Sequence, residues 1–88
     1  LKIILTEHAK FEAQRRQIKM EIIEKIAQKP QQVLSSAGNK LIFQGKYYDA
    51  IEKKEMLLRL VIKEEKRARK IITVYKTSKI EKYWERGE

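Results

Sequence analysis

A chain of 88 residues with one histidine, no cysteine and a hydrophobic fraction of 42% is sized for a single folded domain over residues 1–88. The lack of cysteine excludes disulfides and a thiolate zinc site, and with no apolar run long enough to span a bilayer and no visible signal peptide, a cytoplasmic protein without a membrane partner is expected. Twenty-one Lys and Arg against twelve Asp and Glu give a net charge of +9, which suits a polyanionic partner; the excess of Lys also fits a general compositional bias toward Lys, Glu and Ile.

The apolar run KIIL at residues 2–5 reads as an edge strand. Thr6 follows as a helix N-cap, with Glu7 placed to complement the helix dipole, and the first helix is expected over residues 7–16. Residues 17–19 lead to a second helix over 20–29, whose stripe is Ile22, Ile23, Ile26 and Ala27, with Glu21 and Lys25 paired on the outer side and Pro30 as the stop. Beyond Pro30 the period changes. QQVLSS is a weak strand, Gly38-Asn39 a turn, and KLIFQGKYY the returning strand of a β-hairpin. Residues 49–55 form a polar connection without a clear pattern. MLLRLVI is the strongest strand and reads as central, residues 63–69 as a charged connection, and KIITVYK as the antiparallel return. Ser78 and Glu81 have capping-box spacing, so the chain is expected to close in a short helix with Ile80, Tyr83 and Trp84 inward and Lys79, Lys82 and Arg86 outward.

Keeping apolar faces together places Leu58, Leu60 and Ile62 with Ile72 and Val74 under the helices. Arg59 and Lys63 then share the opposite face with Thr73 and Tyr75, and a one-residue slip would put Arg59 into the core.

The segments TEHAKFEAQRRQI and KIITVYKT resemble a small prokaryotic family of unknown function marked by T-x-H-A, an Arg-x-Ile step between two helices and a late TVY strand. That family is similar, distantly, to BrnT and to the RelE/ParE superfamily of toxin–antitoxin toxins. Thr6, His8, Ala9, Arg16 and Ile18 fit the first motif and Thr73, Val74 and Tyr75 the second. Gln17 stands where a glycine often follows the Arg, and the YYDAIEKKE connection looks like an insertion. The resemblance implies an α+β fold: an N-terminal helical hairpin packed on a twisted antiparallel sheet of about four strands, with a short C-terminal helix. It also implies a toxin, either a metal-independent endoribonuclease acting on mRNA, at the ribosome or free, or a gyrase-directed protein, with a cognate antitoxin as partner.

In the nuclease reading, His8 would move protons, since imidazole is the side chain suited to that near neutral pH, and Arg59 would stabilise charge on the phosphoryl oxygens, with Tyr75 as a phenol or stacking platform. Arg15, Arg16, Lys63 and Lys76 would hold phosphates. Each has a plain alternative: His8 packed at a helix start, Arg15-Arg16 as a solvated helix end, Arg59 at an open edge or paired with a glutamate, Tyr75 as an ordinary strand residue. No metal-ligand spacing and no Gly-rich phosphate loop occurs, so neither metal nor cofactor is expected. The rival function is a non-catalytic module that binds nucleic acid or protein through the same surface.

Overall fold

The computed structural model describes residues 1–87. Its elements are β1 (Lys2–Leu5), α1 (Glu7–Arg15), α2 (Met20–Gln28), β2 (Gln32–Ser36), β3 (Lys40–Asp49), β4 (Lys54–Glu65), β5 (Ala68–Thr77) and α3 (Ile80–Tyr83). The strands make one five-stranded sheet in the order β1-β5-β4-β3-β2. β2 through β5 pair antiparallel, whereas β1 pairs parallel to β5 from Lys2–Ala68 to Leu5–Ile71.

This corrects the expected four-stranded antiparallel sheet under a helical hairpin. The apolar run at 2–5 is an edge strand, but the chain leaves it through α1 and α2 and re-enters the sheet at the far edge as β2. β1 thereby runs alongside β5 in the same direction, and the sheet is mixed. The helices also do not pack as a hairpin unit. α1 lies mainly along β5 and α2 over β3, β4 and β1, so each is held by the sheet rather than by the other helix. Their inward residues, Ala9 and Ala13 from α1 and Ile23, Ile26 and Ala27 from α2, close a single core over Phe43, Leu58, Leu60, Ile62, Ile71 and Val74.

Local chemistry explains the helix ends. Thr6 accepts from the Ala9 amide at 3.0 Å and donates its hydroxyl to the Ile72 carbonyl at 2.9 Å, so one side chain both caps α1 and ties it to β5. At the other end the Ile18 amide bonds the Ala13 carbonyl at 2.8 Å and the Gln17 amide bonds that of Gln14 at 3.1 Å. That is a Schellman closure, and Gln17 supplies its left-handed residue at φ 56°. A glycine is the residue best suited to this position, which is why Gln17 stood out as a departure.

Two charged segments assumed to be connections extend the strands instead. β4 continues through Glu65 and β5 begins at Ala68, leaving Lys66 and Arg67 as the turn. Alternating charged side chains cost nothing on a solvent-exposed ladder end, and Glu64 meets Arg69 across the strands at 2.9 Å. Between β3 and β4, Asp49 folds the turn by accepting from the Ile51 and Glu52 amides at 2.9 and 3.0 Å. A bulge opposite Val61/Ile62 adds one residue to β5, so Ile71 rather than Ile72 enters the core with Val74. The capping box does not form: β5 pairs out to Thr77, Lys79 is the N-cap of α3, and Thr77 Oγ1 takes the Lys79 amide at 3.0 Å.

Replacing Gln17 with glycine is expected to raise stability by about 0.5–1 kcal/mol, the left-handed strain relieved less the added unfolded-chain entropy. Urea unfolding checks this; an unchanged or lower midpoint would show that the Gln17 side chain compensates for its backbone.

Candidate functional site

Alternation along the three central strands divides the sheet sharply. Gly45, Leu58 and Val74 face α1 and α2, and a Cβ on Gly45 would meet Ile26 at 3.0 Å. The intervening residues form rows on the other face. In register, Gln32 lies beside Gln44, Gln44 beside Arg59, and Arg59 beside Tyr75. They are hydrogen-bonded along that row: Gln44 Nε2 donates to Gln32 Oε1 at 2.7 Å, Arg59 Nε to Gln44 Oε1 at 2.9 Å, and Arg59 Nη1 to the Tyr75 hydroxyl at 2.5 Å.

α3 and the residues after it fold back over this row. The Tyr83 ring lies 4.3 Å from the Arg59 guanidinium carbon, and Lys46 Nζ stands 4.1 Å over Trp84. The amides of the row grip the arm's backbone: Gln44 Nε2 donates to the Tyr83 carbonyl at 3.1 Å, and Gln32 both donates to the Glu85 carbonyl at 2.7 Å and accepts from its amide at 3.0 Å. Arg59 is left 8% exposed, with no carboxylate at ion-pair distance among the described residues. Its acceptors are a carboxamide and a phenol, both neutral.

Two further rows continue beyond the arm. Leu34, Ile42, Val61 and Thr73 form a half-buried, mostly apolar one. Next to it Lys63 sits directly across from Lys70, and one step beyond the Leu41–Ile62 pair Lys40 falls beside Lys63. Like charges directly opposite on one sheet face repel. Glu65, further along the same face of β4, makes no ion pair with them among the described residues.

The structure therefore brings Arg59, Tyr75 and Lys63 to one face, as strand alternation implies, and places the other candidates elsewhere. His8 is exposed on α1, on the opposite side of the sheet. Arg15 and Arg16, on the same helix, both close on Glu12, at 2.7 and 2.8 Å. The bond from Arg15, then that from Arg16, holds the Glu12 carboxyl at about 2 against the opposing effect of burial, and the same bond pushes the Arg15 guanidinium up. Lys76, opposite Leu58, points to the helix side and pairs with Asp49 at 2.7 Å, with 9% and 5% of the two side chains exposed. Burial pushes the Asp49 carboxyl up, but bonds from Lys76, the Glu52 amide, the Tyr47 hydroxyl and the Ile51 amide outweigh it and hold the group at about 2. Burial, then the bond to Asp49, pushes the Tyr47 phenol well above its usual range.

Gln32, Gln44, Asp49 and Tyr83 carry as much of this architecture as the residues singled out from sequence. Gln44 had a signal: it is the one polar side chain inside the run LIFQG, in the strand expected to lie next to that of Arg59. Among the described residues no three His, Cys, Asp or Glu side chains gather where they could hold a metal ion, and no helix is long and apolar enough to cross a membrane.

Fold and surface together define a small α+β domain with one closed, helix-covered face and one partly open basic face. The chain belongs to the family described as a domain of unknown function, DUF4258, which it matches over residues 5–76. A family of unknown function is what the two sequence motifs resembled; the match carries no link to BrnT or to RelE/ParE. No curated protein and no solved structure matches the chain.

The Asp49–Lys76 pair gives a pH prediction. The folded-state Asp49 value lies below its ordinary 3.8, so its contribution is full above about pH 4 and is lost as pH falls toward 2. Near pH 6, Asp49→Asn is expected to cost roughly 3 kcal/mol, because Lys76 is left buried without its partner. Denaturant midpoints at pH 6 and pH 2.5 should converge between the wild type and this variant; a constant gap would show that the pair does not titrate in this range.

Proposed function

We propose that the protein is a non-catalytic nucleic-acid-binding module that takes single-stranded RNA on the face of Lys63 and Lys70. The observation that carries this reading is the like-charged row, Lys40, Lys63 and Lys70, on neighbouring strands with no carboxylate among them. Such a row is unfavourable in the free protein and favourable against a phosphate backbone, where each lysine neutralised releases a counterion. The apolar row beside it offers a surface for unstacked bases. On the same face of β3, Tyr48 is 66% exposed and Lys46 rests over Trp84, an interleaving of aromatic and basic groups that suits a single strand better than a duplex.

A second reading rests on the 2.5 Å contact between Arg59 and the Tyr75 hydroxyl. A guanidinium beside a phenol could serve a metal-independent endoribonuclease directed at mRNA and the ribosome and neutralised by an antitoxin. His8 lies across the sheet from that pair, so the proton transfers would fall to Tyr75 and solvent.

Affinity for a single-stranded oligoribonucleotide, measured against salt concentration, tests the first reading. Lys63→Gln with Lys70→Gln should weaken binding at low salt and flatten the log–log slope by about 1.4, two lysines at roughly 0.7 each. An unchanged slope would remove RNA from that face. An end-labelled RNA cut by the wild type but not by Tyr75→Phe would shift the assignment to the nuclease.

A further inference from the structure

We propose that Arg59, Tyr75 and Gln44 form a binding site for a phosphate oxyanion, and that the C-terminal arm beginning at α3 occupies the space this anion would take. The proposal deepens the polyanion-binding reading by naming a second contact on the same face, and three independent observations support it.

The first is the condition of Arg59. A guanidinium presents five N–H donors and carries a permanent charge. Here it is 8% exposed, bonded through Nε and Nη1 to neutral oxygens, and has no carboxylate at ion-pair distance among the described residues. The protein does supply carboxylates to its other sequestered cations: Lys76 has Asp49, and Arg69 has Glu64. Arg59 stands at the centre of the sheet with a charge still to be balanced. Tyr75 OH and the Gln44 and Gln32 amides are further hydrogen-bond donors in the same row, so an oxyanion there would meet donors on adjacent strands.

The second observation is what covers the site. The family match ends at residue 76, and the arm that roofs Arg59 begins just beyond it. Gln44, Arg59 and Tyr75 thus lie within the matched span, and the segment that roofs them lies outside it. The third is how the arm is held. α3 is a single turn, Ile80–Tyr83, with no side-chain cap and no fully buried residue. Its attachment includes one ring over a cation, a lysine over Trp84, and amide bonds to backbone atoms of Tyr83 and Glu85, beside Leu57, which is fully buried on the arm's face of β4. Bonds to backbone atoms hold any extended segment and leave the arm free to exchange with a competitor. A guanidinium stacked on an aromatic ring is well satisfied, but a phosphate offers it charge and paired acceptors together.

The test uses the full chain, wild type beside Tyr83→Ala/Trp84→Ala, which loosens the arm without removing residues. Both are titrated with inorganic phosphate at constant ionic strength, following the Arg59 Nε–H resonance. In the variant that resonance should shift saturably with phosphate and with sulfate but not with chloride, and the accompanying shift of the Gln44 side-chain amide, the bonding partner of Arg59, should vanish in the triple variant carrying Arg59→Gln. The wild type should need about tenfold more phosphate, as expected if the arm is docked roughly nine-tenths of the time. Unchanged amide resonances at Ala9, Leu60 and Val74 would show that the helix-side core is intact. With that core intact, an Arg59 resonance indifferent to phosphate in the loosened variant overturns the site and makes the arm a structural roof.

Gel-shift measurement with an oligoribonucleotide separates this outcome from the fate of the RNA reading. Phosphate binding at Arg59 without RNA binding would keep the site and assign it to a free phosphorylated ligand. RNA binding sensitive to Lys63 and Lys70 but not to the arm would keep the RNA face and remove the site.

Discussion

The pleat of β4 is the constraint on which the rest of the molecule depends. Leu58, Leu60 and Ile62 are fully buried against the helices, and Arg59 is held between them in sequence on the opposite face. A slip of one residue would exchange these sets, placing a guanidinium among Ala9, Ile23 and Ile26 at a desolvation cost of several kcal/mol and exposing three large aliphatic side chains to water at roughly 2 kcal/mol each. No alternative register competes with that penalty. The same choice that seals the core therefore fixes which side chains the other face presents, from Gln32 at one edge to Tyr75 beside Arg59.

The two faces treat charge differently. On the helix side each well-placed cation closes on a carboxylate: Arg15 and Arg16 on Glu12, Lys76 on Asp49, and Arg69 on Glu64 while its Nη1 also bonds the Ala27 carbonyl. These pairs tie helix to helix turn, turn to strand and strand to strand, and they use up acidic residues in doing so. On the other face Arg59 has neutral partners, Lys63 faces Lys70, and Lys46 sits on an indole. A cation over an aromatic ring gains about 1–2 kcal/mol when desolvated, and a charged hydrogen bond to a neutral oxygen about 1.5–3. Against several kcal/mol of desolvation for a buried guanidinium, these contributions leave little margin. The roof over Arg59 combines a ring stack and bonds to backbone atoms with the burial of Leu57 on the same face.

Elements whose cause is local were legible in the sequence. The Thr6 cap, the Ile22–Ala27 stripe, the Gly38-Asn39 turn with both residues at positive φ, and the facing of Arg59 with Tyr75 all follow from spacing and strand alternation. What remained hidden depends on distant partners. The parallel pairing of β1 is decided by where α1 and α2 deposit the chain, not by anything within KIIL. The bulge at Ile72 lies in a run of β-formers that alternates acceptably in either frame, and Thr6 reaching the Ile72 carbonyl becomes visible only when helix and strand are adjacent. Ser78 and Glu81 have the right spacing for a cap, but β5 stays paired out to Thr77 opposite Leu57 and α3 starts one residue later than the box requires, with Lys79 as its N-cap. The side of the sheet on which His8 lies is a matter of topology, so a shared site with Arg59 could not be read from residue types. Lys63 and Tyr75 could be placed, because they are on strands whose register a buried neighbour dictates.

A net charge of +9 thus has an uneven consequence. Carboxylates on the helix side and in the turns complete ion pairs or fold backbone, as Asp49 does with both of its oxygens, whereas Glu55 and Glu65 stand near the two ends of β4 on the other face. Among the described residues, the sheet's other face keeps cations with no carboxylate at ion-pair distance, at its centre under Tyr83 and along the row of Lys63 and Lys70. Stability alone would favour moving one acid across the sheet, for example at Val61 or Thr73, where it would stand on the same face as both Arg59 and Lys63. The chain has apolar or hydroxyl side chains at those positions and leaves the charge open, which is the arrangement expected where an external anion completes the surface.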